Sequence, residues 1–122
     1  MAKKILAYFF AAILILSGVM HVVKPEAYAA MIPSFIPEIV ANILAAIAEI
    51  VIGVMLIIPR YRRLGGLGFA LLMVAFLPIH IWDLVRDDPA IGSFTGAVIR
   101  LIIQFGLIWA GWWIWKDNSD QK

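Results

Sequence analysis

Apolar residues along this chain fall into four long runs: Ile5 to Val23, Ile39 to Ile58, Leu64 to Trp82 and Gly96 to Trp115. Each is close to the ~20 residues that an α-helix needs to cross a hydrocarbon core. The pattern predicts four transmembrane helices and an all-α fold, an integral membrane four-helix bundle forming a single membrane domain over residues 1–122. Three polar connections separate the runs: a Pro-rich loop (Lys24 to Glu38), a basic turn (Pro59 to Arg63) and an acidic, Gly-containing loop (Asp83 to Thr95). A short polar tail, Lys116 to Lys122, closes the chain.

Composition sets the class independently. Apolar residues make up 64% and charged residues 15% of the chain, with a mean hydropathy of +0.98, beyond the range of soluble globular proteins. A net charge of +2 is too small to suggest a nucleic-acid partner, which leaves the lipid bilayer as the expected one. With no cysteine, the chain supplies no disulfide exchange, no thiolate catalysis and no cysteine-held cluster or haem. Any redox chemistry must come from a bound molecule.

Lys and Arg set orientation, because they resist export while acidic residues count little. Four spans put Lys3, Lys4, Arg60, Arg62, Arg63, Lys116 and Lys122 on one side, and only Lys24 and Arg86 on the other. Both termini are therefore expected in the cytoplasm. Trp109, Trp112, Trp113 and Trp115 fall near the inner end of helix 4 and Trp82 at the outer end of helix 3, where headgroup-level anchors belong. Reading the first run as a cleaved signal peptide, with Ala27 to Ala29 as its cleavage motif, is disfavoured: the run exceeds the usual h-region, and cleavage would leave an odd number of spans.

The outer loop between helices 1 and 2 has Pro25 where a helix starts, Glu26 in its first turn, and Pro33 and Pro37 as stops. A short interfacial helix is expected over Glu26 to Met31. Tyr28, Met31, Phe35 and Ile36 would give the loop an apolar underside, resting on the membrane or folded over the mouth of the bundle. "GGLG" (Gly65 to Gly68) lacks a phosphate-binding lysine and a preceding strand, so it reads as a close-packing surface at the start of helix 3. Pro78 removes an amide donor and frees the Val74 carbonyl, permitting a kink.

The polar residues inside the runs gather toward one end. Helix 1 ends with His21, helix 2 carries Asn42 and Glu49, helix 3 ends with His80 and Asp83, and helix 4 carries Arg100 and Gln104. At 1.5 Å per residue the histidines lie ~3 Å deep, Arg100 ~6 Å, Gln104 ~12 Å and Glu49 ~16 Å. Arg100 and Gln104 stand four apart on one helical face, and Asn42 and Glu49 seven apart on another. A lone charge facing lipid costs ~2.5–3.5 kcal/mol on insertion scales, so each should turn inward to a partner. Glu49 and Arg100 are expected to pair directly or through Gln104 or water, either as a structural lock between helices 2 and 4 or as part of a ligand pocket. A metal site from His21, His80 and Glu49 is disfavoured, because Glu49 would lie ~13 Å deeper than the histidines.

Taken in order, "SGVMHVVKPEAYAAMIPSFIP", "AEIVIGVMLIIPRYRR", "FLPIHIW" and "IRLIIQFGLIWA" resemble the DoxX-like family of small four-helix membrane proteins, from about Leu16 to Ala110. The likeness rests on Gly18, His21, Pro25, Pro33, Pro37, Glu49, Gly53, Pro59, Pro78, Arg100 and Gln104. Family members often carry Asn two residues after the helix-3 proline, where this chain has His80. The resemblance implies a prokaryotic plasma-membrane protein associated with redox assemblies, with a redox protein as a partner and quinone as the candidate cofactor. By itself it assigns no catalytic residue.

Together these readings predict an outward-facing polar pocket, with His21, Glu49, His80, Arg100 and Gln104 as ligand-binding residues for a small amphipathic molecule, quinone or lipid-like. The alternatives are a small-solute permease, which needs a path to the cytoplasm, and a structural or assembly subunit, which needs a fully self-paired cluster with no void. Cysteines introduced at Tyr61 and Ser93 are expected to react with an impermeant maleimide from opposite membrane faces. Labelling of both from one face would exclude this topology.

Overall fold

A computed structural model describes residues 1–86 and 92–117. The readings that fall on Asp87, Asp88 and Lys122 lie outside the described residues. Among the described residues the fold is all-helical: α1 (Ala2–Val23), a 3-10 helix (Pro25–Met31), α2 (Glu38–Ile57), a 3-10 turn (Pro59–Tyr61), α3 (Arg62–Val85) and α4 (Phe94–Lys116). The four α-helices are each long and apolar enough to cross a membrane.

Most bounds exceed the apolar runs because the backbone ladder does not stop where hydrophobicity stops. α1 takes in Lys3 and Lys4, and α3 takes in Arg62 and Arg63 at its start and Asp83 near its end. Prolines mark several starts: Pro25 and Pro59 open the two 3-10 segments, where a missing N–H leaves nothing unsatisfied, and Pro37 precedes α2. At α4, Ser93 Oγ accepts from the Gly96 N–H at 3.0 Å, an N-cap bond. The expected helix at Glu26 to Met31 is present in 3-10 form. The loop's apolar residues divide, with Tyr28 and Met31 turned to the bundle and Phe35, beyond the helix, left 82% exposed.

Two helical hairpins, α1–α2 and α3–α4, are each closed by small residues at backbone contact. A Cβ on Gly18 would lie 2.6 Å from Ile50 Cγ1 and 3.2 Å from the Ala46 carbonyl, and one on Gly53 would lie 2.7 Å from Ile15 Cγ1 and 3.3 Å from the Ala11 carbonyl. These contacts recur at seven-residue spacing on both helices (11 and 18, 46 and 53), so one antiparallel register satisfies both. In the second hairpin a Cβ on Gly66 would meet Ile114 Cγ2 at 2.5 Å and the Gly111 carbonyl at 2.9 Å.

The hairpins join through α2 and α3, where Gly65 lies against Met55 and Leu56 and Gly68 against Ile52, and through a shared apolar core. Phe10 stacks on Phe69 with ring centroids 4.5 Å apart, among Leu14, Leu56, Met73, Ala110 and Ile114. The core occupies the half of the bundle that contains the basic turn.

Cations at that end do more than mark orientation. The last carbonyls of a helix have no intrahelical donor, and the helix dipole favours positive charge there. Arg62 is fully buried, donating from Nε to the Leu56 carbonyl (2.9 Å) and from Nη2 to the Ile57 carbonyl (3.0 Å), with its guanidinium 5.2 Å from the centre of the Tyr8 ring. Arg63 Nε donates to the Trp115 carbonyl (2.9 Å), and Lys3 Nζ to the Asp117 carbonyl (2.6 Å). Three basic side chains thus close the C-terminal ends of α2 and α4.

Gly66→Ala is expected to lower stability by about 1–3 kcal/mol, because the methyl group has no room and its nearest neighbours include backbone. Gly106→Ala, whose Cβ meets nothing within 4 Å, should be neutral or stabilising by up to about 1 kcal/mol. Thermal unfolding in detergent compares the two. Equal losses would refute the close approach of α3 and α4.

Candidate functional site

At the end of the bundle opposite the basic turn, α1 and α2 bring polar side chains into one linked set. Asn42 Nδ2 donates to the Glu38 carbonyl (3.0 Å), and Asn42 Oδ1 lies 2.7 Å from His21 Nδ1. The opposite ring nitrogen, His21 Nε2, is 3.5 Å from Glu49 Oε2. Tyr28 stacks on the His21 ring at 3.6 Å between centroids, and its hydroxyl lies 2.9 Å from Ser17 Oγ. Glu49 is only 5% exposed, and its Oε2 has no hydrogen-bond partner. An orphaned buried acceptor of this kind carries a desolvation cost of about 1–3 kcal/mol or more.

A second set lies on α3 and α4. Asp83, 1% exposed, is 3.5 Å from Arg86 Nη1 and 3.9 Å from Arg100 Nη1. Both arginines also reach the 3-10 helix: Arg86 Nη1 donates to the Ala30 carbonyl (2.7 Å), and Arg100 Nη1 lies 3.5 Å from Met31 Sδ. With Tyr28 tied to Ser17 on the other side, the 3-10 helix is fastened across both hairpins.

Between these sets lies a cavity of ≈ 220 Å³. Its polar lining is His21, Tyr28, Glu49, His80 and Arg100; its apolar lining is Met31 and Ile32 from the roof, Ala41 and Ala45 from α2, and Phe76 and Ile79 from α3. The space follows from the packing. α2 and α3 touch at Gly65 and Gly68 near their connection, and the cavity opens between them farther along, where Ala41 and Ala45 give α2 short side chains. Among the described residues no three His, Asp or Glu side chains converge as a metal-holding group.

Four of the five expected site residues, His21, Glu49, His80 and Arg100, line this cavity, and Gln104 does not. Gln104 Nε2 donates to the Met73 carbonyl at 2.7 Å, so its amide serves the backbone of the Pro78-containing helix. The expected Glu49–Arg100 pair is likewise absent, directly or through Gln104: Glu49 faces His21 and Arg100 faces Asp83. Asp83 stands on the helix paired with α4, within reach of Arg100 without crossing the cavity.

Depth by helical rise also misplaced Glu49 relative to His21. Side chains lean toward the N-terminus of their own helix. In the antiparallel α1–α2 pair His21 therefore leans inward and Glu49 outward, and the two meet at 3.5 Å. Sequence reasoning left Tyr28, Ser17 and Asp83 out of the site. A signal existed for two of them: Ser17 is four residues before His21 on one helical face, and Asp83 is three before Arg86.

A double-mutant cycle on His21→Ala and Glu49→Gln is expected to give a coupling of about 0.5–3 kcal/mol in thermal stability, as for residues in contact. The cycle on Glu49→Gln and Arg100→Met should come closer to additivity. The reverse order would mean that Glu49 is paired across the cavity after all.

Residues 10–115 match the family model described as Domain of unknown function (DUF8561). No curated protein and no solved structure matches the chain. The match takes in α2 and α3 entire, nearly all of α4, and every residue that lines the cavity, and the chain belongs to the DUF8561 family.

Proposed function

We propose that this chain is a multi-pass membrane protein whose cavity binds a small amphipathic ligand, quinone or lipid-like, as a component of a membrane redox system. The observation that carries the reading is the cavity itself: ≈ 220 Å³, mostly apolar in its walls, with His21, Glu49, His80 and Arg100 among the residues that line it. A cluster built only to lock helices together would fill that space.

The cavity is smaller than the ~300–1,000 Å³ of sites that enclose a whole drug-sized ligand. It suits a headgroup whose tail lies among the apolar outer faces of the helices, where Ile39, Ile43, Leu44, Ile47 and Val51 of α2 are all exposed. Arg100 would donate to a ligand oxygen, and His21 or His80 would exchange protons with water. The likeness to the DoxX-like family belongs to this proposal, as do a prokaryotic plasma membrane, cytoplasmic termini and an outward-facing cavity.

A permease is the weaker reading. The other half of the bundle is filled by the Phe10–Phe69 stack and its neighbours and closed by Lys3, Arg62 and Arg63, which leaves no polar route through among the described residues.

Ala45→Phe should fill the cavity, while Leu44→Phe alters the exposed face of the same helix. Organic extracts of protein purified from membranes, read by mass spectrometry, are expected to contain a small amphipathic compound with wild type and Leu44→Phe and to lose it with Ala45→Phe. Identical extracts from all three would overturn the reading.

A further inference from the structure

Outside the filled interior of the basic half, α3 and α4 form a lateral groove of ≈ 420 Å³. Its walls are two helical stripes. Leu67, Ala70, Leu71 and Val74 come from α3, and Phe105, Ile108, Trp109 and Trp112 from α4, each set at i, i+3, i+4 and i+7. One face of each helix therefore runs beside the other for about 10 Å by helical rise. The groove exists because its floor is small. Ala70 is buried, and a Cβ on Gly111 would lie 2.8 Å from the Ala70 amide nitrogen, so the backbones touch beneath bulky walls. Leu71, Val74, Phe105, Trp109 and Trp112 stay exposed along its rim.

Both stripes run into a cation at the same mouth. Arg63 stands four residues before Leu67, and Lys116 four residues after Trp112, so each continues its own helical face. Lys116 is exposed, with Nζ 5.5 Å from the centre of the Trp112 ring and 5.8 Å from that of Trp115. Arg63 donates from Nε to the Trp115 carbonyl at 2.9 Å, which holds its guanidinium at the same end of α4. Among the described residues no acidic side chain lines the groove.

We propose that this groove binds a membrane lipid with a net-negative phosphate headgroup, one acyl chain lying along the stripes and the phosphate between Arg63 and Lys116. The inference goes beyond the cavity and rests only on the reading of the chain as a multi-pass membrane protein. Charge decides the occupant. A second copy meeting this face about a two-fold axis along the membrane normal would set Arg63 and Lys116 against their own counterparts, like charge on like. An anionic headgroup neutralises both cations at once, and the neighbouring tryptophans suit headgroup depth.

The test is native mass spectrometry of the full chain in detergent with equimolar dioleoylphosphatidylglycerol and dioleoylphosphatidylcholine, which share their acyl chains. Wild type is expected to retain the phosphatidylglycerol about fivefold or more over the phosphatidylcholine, the scale of one basic side chain at a lipid headgroup. Lys116→Gln should lower that preference, whereas Lys4→Gln, which removes an exposed cation of α1, should keep it. Ala70→Leu raises the floor and should reduce retention of both lipids. Val74→Trp closes the groove from its exposed wall and takes its place if Ala70→Leu does not fold. Equal retention of the two lipids by wild type, a preference that Lys116→Gln and Lys4→Gln change alike, or retention unaltered in a folded groove-filling variant would overturn the inference. A dimer mass that filling the groove abolishes would also overturn it, by assigning the face to a second copy. Failure of wild type to float with vesicles of the two lipids would overturn the membrane reading itself, and this inference with it.

Discussion

At Gly18 and Gly53 the backbones of α1 and α2 approach so closely that a methyl group on either would fall within 2.7 Å of an isoleucine side chain. That approach fixes the antiparallel register, and the register decides which polar groups share a level. With Gly18 against Ala46, the end of α1 lies beside the first turns of α2, and His21 comes between Asn42 and Glu49. A shift by one turn would strand Glu49 among apolar side chains at a cost of several kcal/mol. Packing of the smallest residues thus positions the most polar ones.

Charges are handled differently at the two ends. Around the core, Lys3, Arg62 and Arg63 meet helix-terminal carbonyls, so each cation stabilises backbone that would otherwise lack donors. Around the cavity, side chain meets side chain: Asp83 stands beside both Arg86 and Arg100, and His21 stands between Asn42 and Glu49. The first arrangement is closed. The second surrounds a cavity, and this difference is why one end reads as structure and the other as a candidate site.

The 3-10 helix links both halves of that site. Tyr28 covers the His21 ring and reaches Ser17, while Ala30 and Met31 are held by Arg86 and Arg100. Movement of this segment would disturb the α1–α2 set and the α3–α4 set together.

Helix number, helix bounds to within about three residues, and the gathering of polar groups at one end were legible in the sequence, because apolar run length and the 1.5 Å rise are local properties of the chain. The close-packing role of Gly65 to Gly68 was legible for the same reason: a run of small residues in an apolar helix has little else to offer. Partner choice was not. Which carboxylate meets Arg100, whether Gln104 faces the cavity or the Met73 carbonyl, and whether Glu49 reaches His21 depend on interhelical register and on the lean of side chains along antiparallel helices. Those quantities are absent from any single helix. They arise only when glycine seams bring two backbones into contact, and the tertiary structure alone decided them.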